Sequence, residues 1–432
     1  MSLAWISVAA LVIAVTLSCT TTVNVGVLSM AMALIVGVYL GGMTPEMVLE
    51  GFPTPLLVTL VGVTLLFSIA EVNGTLARVT ARAVRLCRGQ AGLLPIMFFI
   101  LGGVIATIGA GATPASALLA PPAMAVAARA GIPLFLMAIM AGNGALAGTL
   151  SPFAPTGIVA HGVMERIGLG GVEWQTYAYN AVAHTIVGVG GFLILGGWKL
   201  FVRGSDRGSD RDRGSDRGSD RGSDRGSDRG SDPLDPLTIK HWLTVAGIVA
   251  LIVSVAFLGV NVGMAAIIIA TVLVLLRTVD EGQAIQRMPW GVILMVTGVT
   301  VLIYMLQETQ GMALFTTGLA NISTPATIAP VVAFGTGVVS VYSSTSGVVL
   351  PAFLPMVPEL AQRVGDLPPL PIAWSMNIGA SLVDLSSLST VGALFLAGAP
   401  PGSDTRALFN GLLVWGLSMA VVGAALCWLL FG

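Results

Sequence analysis

Long apolar segments separated by short polar stretches run through almost the whole chain. Most of them approach the roughly 20 residues that an α-helix needs to cross a bilayer. The pattern predicts an all-α polytopic membrane protein whose first helix is retained rather than cleaved as a signal peptide. The predicted helices are 3–18, 23–41, 55–72, 92–109, 115–130, 132–147, 154–167, 176–201, 238–258, 262–277, 290–307, 327–342, 348–363, 370–383, 390–399 and 407–431.

Two pairs of these segments are joined by short polar turns. The arms of 92–130 surround Gly109-Ala-Gly-Ala-Thr-Pro-Ala-Ser116, and those of 327–363 surround Ser343-Ser-Thr-Ser-Gly347. Bent backbone is tolerated in a membrane only where protein or a wet cavity surrounds it. Each pair therefore predicts a re-entrant hairpin.

Two other crossings, at 132–167 and 370–399, have a polar and Gly-rich middle. Broken helices of this kind leave backbone N–H and C=O groups free to bind ligands near the bilayer midplane. We therefore expect both breaks to contribute to a binding site.

The second half of the chain repeats the first. Five features recur in the same order at nearly one offset, 237 residues. They are Trp5-Ile-Ser-Val-Ala with Trp242-Leu-Thr-Val-Ala, Asn24-Val-Gly26 with Asn261-Val-Gly263, Gly62-Val-Thr64 with Gly298-Val-Thr300, Glu71 with Glu308, and the polar interruptions around Thr149 and Ser386. Ordered matches of this kind predict two homologous repeats. Glu71 and Glu308 then end matched scaffold helices as caps.

Composition decides the class of protein. Hydrophobic residues make up 55% of the chain and charged residues 9%, against roughly 25% charged in a soluble domain. Segment 203–232 holds eight Arg and eight Asp of the 41 charged residues, which leaves 25 for the other 402 residues. So few charges exclude a soluble protein of this size. The formal net charge of −1 offers nothing to a nucleic-acid partner.

Segment 203–232 is a Gly-Ser-Asp-Arg repeat without an apolar residue. Because it can bury nothing, we predict a disordered tether at 203–236. The tether separates a first transmembrane repeat at 1–202 from a second at 237–432.

Arginines predict the orientation in the membrane. Arg78, Arg82, Arg85 and Arg88 fall on the same side as the tether if each repeat crosses an odd number of times. The positive-inside rule places that side in the cytoplasm, so a chain in the inner membrane has both termini outside. An odd number of crossings also inverts the second repeat relative to the first.

The two hairpin turns and the two breaks should meet between the repeats. Their hydroxyls, amides and free backbone groups suit a small carboxylate with a cation nearby. The candidate substrate-binding residues are Thr113, Ser116, Asn143, Thr149, Ser151, Ser344, Thr345, Ser346, Asn377 and Ser387. The candidate cation-coupling residues are Asp384, Asn143, Asn377 and Ser386. For each of them the alternative is a structural role, in which the side chain packs between helices or hydrogen-bonds to a carbonyl of its own helix.

Asp384 is the one carboxylate in these four segments. An ionisable group at this depth is costly and is usually functional. Three functions suit Asp384: it coordinates sodium, carries a proton or repels a wrong substrate, and the alternative is a structural bond to helix-end N–H groups. An offset of 237 pairs it with Ala147, so the two breaks differ by a full charge. We expect no cofactor and no metal other than Na⁺, with Na⁺ and H⁺ both open as the coupling ion.

The run from Gly51-Phe-Pro-Thr-Pro to Glu71-Val-Asn-Gly-Thr75 resembles the N-terminal half of the MatC-type malonate and dicarboxylate carriers. The resemblance covers about residues 1–165, and that family is grouped with the divalent-anion:sodium symporters. The resemblance continues through Ala83-Val-Arg-Leu-Cys-Arg-Gly89, Gly109-Ala-Gly-Ala-Thr-Pro-Ala, Leu119-Ala-Pro121, Arg129-Ala-Gly-Ile-Pro133 and Gly148-Thr-Leu-Ser-Pro152.

The resemblance implies an elevator-type carrier, usually a homodimer, with one inner and one outer hairpin. In that superfamily each hairpin turn carries Ser-Asn-Thr. Here the turns read Gly111-Ala-Thr113 and Ser343-Ser-Thr345. Both threonines match, and the asparagine, whose amide serves sodium and carboxylate, is replaced.

These patterns favour a cation-coupled secondary transporter of small dicarboxylates in the lipid bilayer. Enzyme signatures such as Gly-x-Ser-x-Gly and a Walker loop are absent from the sequence. The alternatives are a carrier for another small anion, a proton-coupled exporter and a membrane scaffold without transport. A scaffold would not need four polar backbone interruptions in lipid.

Overall fold

The computed structural model describes residues 2–20, 23–86, 92–200, 236–258 and 260–432. Every regular element within these ranges is a helix. The tether predicted at 203–236 and Arg88 lie outside the described residues, apart from residue 236. Six helical segments of the described part are long and apolar enough to cross a membrane.

The helices of the first half follow the predicted order. They are α1 Leu3–Thr20, α2 Val25–Leu34 with a π-helical extension Ile35–Leu40, α3 Pro45–Leu49, α4 Thr54–Val72, α5 Thr75–Leu86, α6 Leu93–Ile105 with a π-helical extension Ala106–Ala110, α7 Ala112–Ala130, α8 Leu134–Ala147, α9 Pro155–Arg166 and α10 Glu173–Ile194.

The second half has the same succession with a more irregular hairpin arm. Its elements are α11 Ile239–Leu258, α12 Val262–Leu275, α13 Glu281–Arg287, α14 Trp290–Glu308, α15 Gly311–Asn321, α16 Ile328–Tyr342, a π-helical turn Thr345–Val349, α17 Leu350–Phe353, a 3₁₀ turn Leu354–Met356, α18 Val357–Gly365, α19 Pro369–Leu382, a 3₁₀ turn Val383–Leu385, α20 Thr390–Ala397 and α21 Thr405–Phe431.

Four short helices, α3, α5, α13 and α15, are absent from the sequence-based prediction. They occupy matched places before and after the third long helix of each half. α5 is amphipathic, with Leu76 on one face and arginines on the other, and both Leu76 and Arg78 are buried. A search for long apolar runs passes over helices of this kind, because one of their faces is polar.

The repeated Asn-Val-Gly motif starts the second long helix of each half. The Asn24 side chain caps α2 by accepting the N–H of Gly26 at 2.9 Å. Asn261 caps α12 in the same way by accepting the N–H of Met264 at 3.2 Å. An asparagine cap satisfies helix N–H groups that the helix itself leaves free. The motif therefore fixes where both helices begin.

The two halves exchange their packing partners. α4 of the first half packs on α12 of the second, and α14 of the second half packs on α2 of the first. Glycines make both contacts possible: a methyl group at Gly298 would overlap the carbonyl oxygen of Gly26, and one at Gly62 would lie 2.6 Å from that of Gly263. Small residues allow helix backbones to approach this closely in membrane proteins.

The two predicted hairpin turns have different backbones. In the first tip, residues 109–113, Gly109 and Gly111 have φ of 129° and 78°, which glycine adopts readily. A methyl group at Gly109 would also overlap the ring of Phe67. In the second tip, residues 343–347, the Ser344 hydroxyl instead caps the π-helical turn by accepting the N–H of Gly347 at 3.1 Å.

The tips and broken helices pack into one group of elements. α6 packs along α8, and α16 packs along α19. α10 and α21 cover the other sides of α8 and α19, and α10 also contacts α19. Because of this arrangement, the ends of α8 and α19 lie beside both tips.

Candidate functional site

A cavity of about 290 Å³ lies where the two tips meet the two helix breaks. Six of the predicted site residues line it: Thr113, Thr149, Ser344, Thr345, Ser346 and Asp384. Four further hydroxyl residues, which the sequence analysis did not select, also line it: Thr156, Ser343, Ser389 and Thr390. The signal for Thr156 and Thr390 was their position, since each stands where a helix resumes after its break.

Asp384 is the one charged residue among the described residues that line this cavity. Its side chain is half-buried, and its Oδ1 accepts a hydrogen bond from the Thr345 hydroxyl at 2.7 Å. Ser340 lies at 3.5 Å from the same oxygen and is hydrogen-bonded to Thr345. The second break is therefore fastened to the second tip through a carboxylate and two hydroxyls.

Backbone N–H groups at the first tip are left free beside the cavity. α7 begins at Ala112 without a side-chain cap. The N–H groups of Ala112 and Thr113 are therefore not used by the helix itself, and both residues line the cavity. Together with the hydroxyls they form a lining that can bind an anion without a cationic side chain.

The helix boundaries correct the register between the two halves. α4 and α14 both contain 19 residues, which places them 236 residues apart. Glu71 therefore matches Gln307 and not Glu308. α8 and α19 both contain 14 residues and follow Pro133 and Pro368, which places them 235 residues apart.

In this register Asp384 matches Thr149, and the predicted match with Ala147 is wrong. The predicted pairing of Thr149 with Ser386 is wrong for the same reason, because Ser386 matches Ser151. Each of these two serine hydroxyls accepts the backbone N–H of the residue two positions later, at 3.1 Å for Ser151 and 3.2 Å for Ser386. The connecting segments of the second half are shorter by single residues, so one fixed offset fails.

Six predicted site residues lie outside the lining of the cavity: Ser116, Asn143, Ser151, Asn377, Ser386 and Ser387. Ser151 donates to the carbonyl of Thr107 at 2.6 Å. The Asn377 amide nitrogen lies 3.6 Å from the sulfur of Met164. The hydroxyls of Ser116 and Ser387 are buried without a hydrogen-bond partner. In this structure these side chains sit between helices rather than in the open space.

Asn143 belongs to a buried polar network that joins the two broken helices. Its Oδ1 lies 3.0 Å from Nδ1 of His184 on α10, and Nε2 of His184 lies 3.3 Å from the Ser381 hydroxyl on α19. Ser381 donates to Asn180 at 2.6 Å, and Asn180 donates to the carbonyl of Leu146 at 3.0 Å. The network ties the end of α8 to the last turn of α19.

A second cavity, of about 250 Å³, shares Thr113 and Ser346 with the central cavity. Glu71 and Arg287 line it and form an ion pair, with Arg287 Nε 3.3 Å from Glu71 Oε1. Both side chains are partly exposed to solvent, so the pair adds little stability. The ion pair lies in the lining of a largely apolar cavity that adjoins the first tip.

Comparison with known families supports the resemblance seen in the sequence. Residues 1–149 match the family model described as the N-terminus of the dicarboxylate carrier protein MatC. The predicted resemblance is thereby confirmed for the first third of the chain. No curated protein matches the chain.

Among solved structures, the chain is similar to the YdaH transporter of Alcanivorax borkumensis. The two share 14% sequence identity and a TM-score of 0.51, over 90% of this chain and 87% of that one. At this identity the similarity establishes the fold alone. An all-helical transporter fold thus extends over both halves, including the part that the family model does not reach.

Proposed function

We propose that the protein is a secondary transporter that carries small dicarboxylates across the inner membrane. The observation that carries this proposal is the central cavity, in which hydroxyls from two tips and two broken helices meet the free backbone N–H groups of the first tip. The match of residues 1–149 to a dicarboxylate carrier model supports the choice of substrate. The similarity of fold to a transporter supports transport rather than catalysis.

The substrate binds through neutral donors. No Arg, Lys or His is present among the described residues that line the cavity. A dicarboxylate therefore receives its hydrogen bonds from hydroxyls such as Thr113, Thr149 and Ser346, and from the N–H groups at the start of α7. At about 290 Å³ the cavity is at the small end of the range for ligand sites, which favours a short diacid.

Asp384 couples substrate movement to a cation. Its carboxylate, with the hydroxyls of Ser340 and Thr345, offers oxygen ligands of the kind that Na⁺ binds, and the same oxygen can hold a proton. A cation here also offsets part of the negative charge of the substrate. The two coupling ions differ in one respect that can be measured, since only the proton requires Asp384 to titrate.

The movement itself is of the elevator type. α1–α5 and α11–α15 form the scaffold, in which α4 packs on α12 and α14 on α2. The tips and broken helices form the moving part, which carries the cavity. We further propose two inverted repeats with hairpins entering from opposite sides, both termini outside, and a homodimer assembled through the scaffold.

Uptake by the purified protein in proteoliposomes tests the proposal. Radiolabelled malonate and succinate are offered with an inward Na⁺ gradient, with an inward H⁺ gradient and with neither. Accumulation above the equilibrium level under one gradient supports a coupled dicarboxylate transporter. Facilitated equilibration without accumulation removes the coupling, and no uptake of either diacid by folded protein removes the proposed function.

A further inference from the structure

A buried arginine without an anion lies at the corner between α4 and α5. Arg78 is 8% exposed, and its Nε has no hydrogen-bond partner. No carboxylate of the described residues forms an ion pair with Arg78. Among those residues, Glu71 pairs with Arg287 and Glu359 pairs with Arg363. Burying an unpaired charge is costly, so an anion bound at this site would stabilise Arg78.

The corner that holds Arg78 is fixed against the start of α11. The Asn73 amide donates to the Thr244 hydroxyl at 2.8 Å, and the Asn73 carbonyl lies 3.0 Å from Nε2 of His241. Nδ1 of His241 accepts the backbone N–H of Thr238 at 2.9 Å. Both ring nitrogens are therefore used in a neutral imidazole, which holds the two elements together.

Further cations surround this corner. Arg82, one turn after Arg78, donates from Nη1 to the Arg78 carbonyl at 3.3 Å. The exposed Lys240 precedes His241, whose ring lies on the Asn73 carbonyl, so Lys240 is also close to this corner. The Arg78 guanidinium itself lies against the turn, because a methyl group at Gly74 would be 2.5 Å from its Nη1. Arg78, Arg82 and Lys240 therefore all belong to or adjoin one rigid backbone corner.

The matched corner of the second half shows that these charges are not needed to build the fold. α15 follows α14 as α5 follows α4, and the offset of 236 places Leu314 and Gly318 at the positions of Arg78 and Arg82. The same helix-turn-helix corner therefore forms there with an apolar residue and a glycine. Arginine at these positions is therefore not required to form the corner itself.

We propose that Arg78, Arg82 and Lys240 form a binding site for a phosphate group. Guanidinium groups bind phosphate through paired N–H donors, and several cations together suit its charge. Two sources supply this chemistry: the headgroup of an anionic phospholipid and inorganic phosphate. The basic face of the amphipathic α5 suits a lipid surface. The site is independent of the proposed transport function.

Native mass spectrometry of the full chain in detergent tests the proposal. The protein is supplied with phosphatidylglycerol, phosphatidylcholine or inorganic phosphate, and the retained adducts are counted. We expect phosphatidylglycerol to be retained in preference to phosphatidylcholine, and Arg78→Leu to lower its apparent affinity at least about tenfold through loss of charged hydrogen bonds. Arg129→Gln, which removes an exposed arginine at the end of α7, is the control and should retain the lipid.

Inorganic phosphate separates the two sources. The ligand is free phosphate if inorganic phosphate binds the wild type and raises its Tm as much as phosphatidylglycerol does, and if Arg78→Leu abolishes this rise in Tm. The ligand is the lipid headgroup if only phosphatidylglycerol raises the Tm of the wild type and this rise is lost in Arg78→Leu. Either result supports a phosphate site. A wild type that retains neither, or that retains the lipid no better than Arg78→Leu does, overturns it.

Thermal stability gives a second readout that a structural role would not reproduce. Leucine at position 78 copies the matched residue of the second half, so Arg78→Leu should match or exceed the wild-type Tm in lipid-free detergent. Phosphatidylglycerol should raise the Tm of the wild type alone. If the variant loses stability equally with and without lipid, Arg78 is structural and the proposal is wrong. Should Arg78→Leu fail to fold, Arg82→Gln combined with Lys240→Gln provides the same comparison.

The chain itself contains another source of anions, the eight aspartates of segment 203–232. Changing all eight to Asn tests whether they neutralise Arg78. If this variant loses thermal stability while the wild type binds no phosphate in any form, the anion is a carboxylate of the chain and the proposal is wrong. If its Tm and its lipid retention equal those of the wild type, the phosphate site stands.

Discussion

Thr149 and Asp384 occupy the same position in the two helix breaks and line the same cavity. One half thus presents a neutral hydroxyl where the other presents a carboxylate. The two breaks cannot both bind a cation in the same way, because they differ by a full charge. Under the proposed mechanism, this asymmetry favours a coupling ion on the side of the second tip, where Thr345 bonds to Asp384.

Replacing Asp384 should separate transport from its driving force. Asp384→Asn keeps the size of the side chain and removes its charge. We expect gradient-driven accumulation to be lost while some downhill exchange persists, since the protein hydroxyls that bind the substrate remain. Uptake under Na⁺ and H⁺ gradients measures this: lost Na⁺ dependence identifies a metal ligand, and lost pH dependence identifies a proton carrier.

Glu308→Gln is the matched control, because it removes an exposed carboxylate at the end of α14. It should accumulate substrate like the wild type. An Asp384→Asn protein that still concentrates substrate under both gradients would make Asp384 a structural residue.

Removing a single tip hydroxyl should weaken substrate affinity without unfolding the protein. A hydrogen bond to a charged group is worth roughly 1.5–3 kcal/mol, which is about tenfold to a hundredfold in affinity. Thr113→Ala should raise the substrate concentration for half-maximal uptake by that factor, and Thr345→Ala should raise it indirectly, because its hydroxyl donates to Asp384 and not to the substrate. Thr345→Ala should also reduce the response to the gradient, because Thr345 bonds to Asp384.

Thr185→Ala serves as the control for both variants. Its hydroxyl is exposed on α10 and donates to the carbonyl of Ala181 at 2.7 Å. Uptake by this variant should be unchanged. If the concentration dependence of Thr113→Ala and Thr345→Ala were also unchanged, the substrate would bind somewhere else.

The close contact between α2 and α14 should tolerate no side chain. Gly298→Ala places a methyl group on the carbonyl oxygen of Gly26, so the helices must separate. Overpacking of this kind costs about 1–3 kcal/mol, and we expect a lower Tm for the purified protein. Gly318→Ala is the control, since a methyl group there meets open space. An equal Tm for both variants would contradict the packing.

Segment 203–232 should be dispensable for transport. It contains no residue that can pack, and the entropy of closing a loop depends only weakly on its length. A Gly/Ser linker of equal length should leave uptake within about twofold of the wild type. A tenfold loss at normal membrane expression would show that the segment binds a partner.

The sequence predicted the main features of the site because each feature has a local signature. Polar residues inside apolar segments located both tips and both breaks, and Thr113, Thr345 and Asp384 do line the cavity. The residue Ser340 was missed, since it lies inside the apolar helix α16 and meets Asp384 only through the fold. No local pattern reports a contact between residues 44 positions apart.

The equivalence of Thr149 and Asp384 was mispredicted for a different reason. The offset between the halves falls from 237 at the Asn-Val-Gly motif to 236 at α4 and 235 at α8, because connecting segments differ in length. Short matches in sequence cannot locate such losses. The ends of the helices do, since each is fixed by a cap or a proline.

The exchanged packing of α2 and α4 also governs how the protein is made. When the first half has been synthesised, the glycine faces of α2 and α4 have no partner, because both bind helices of the second half. The scaffold therefore closes only after α12 and α14 are inserted. A truncated chain ending at the tether would keep the glycine faces of α2 and α4 unpaired. A second copy of the truncated chain could then pack its own α2 and α4 against these faces.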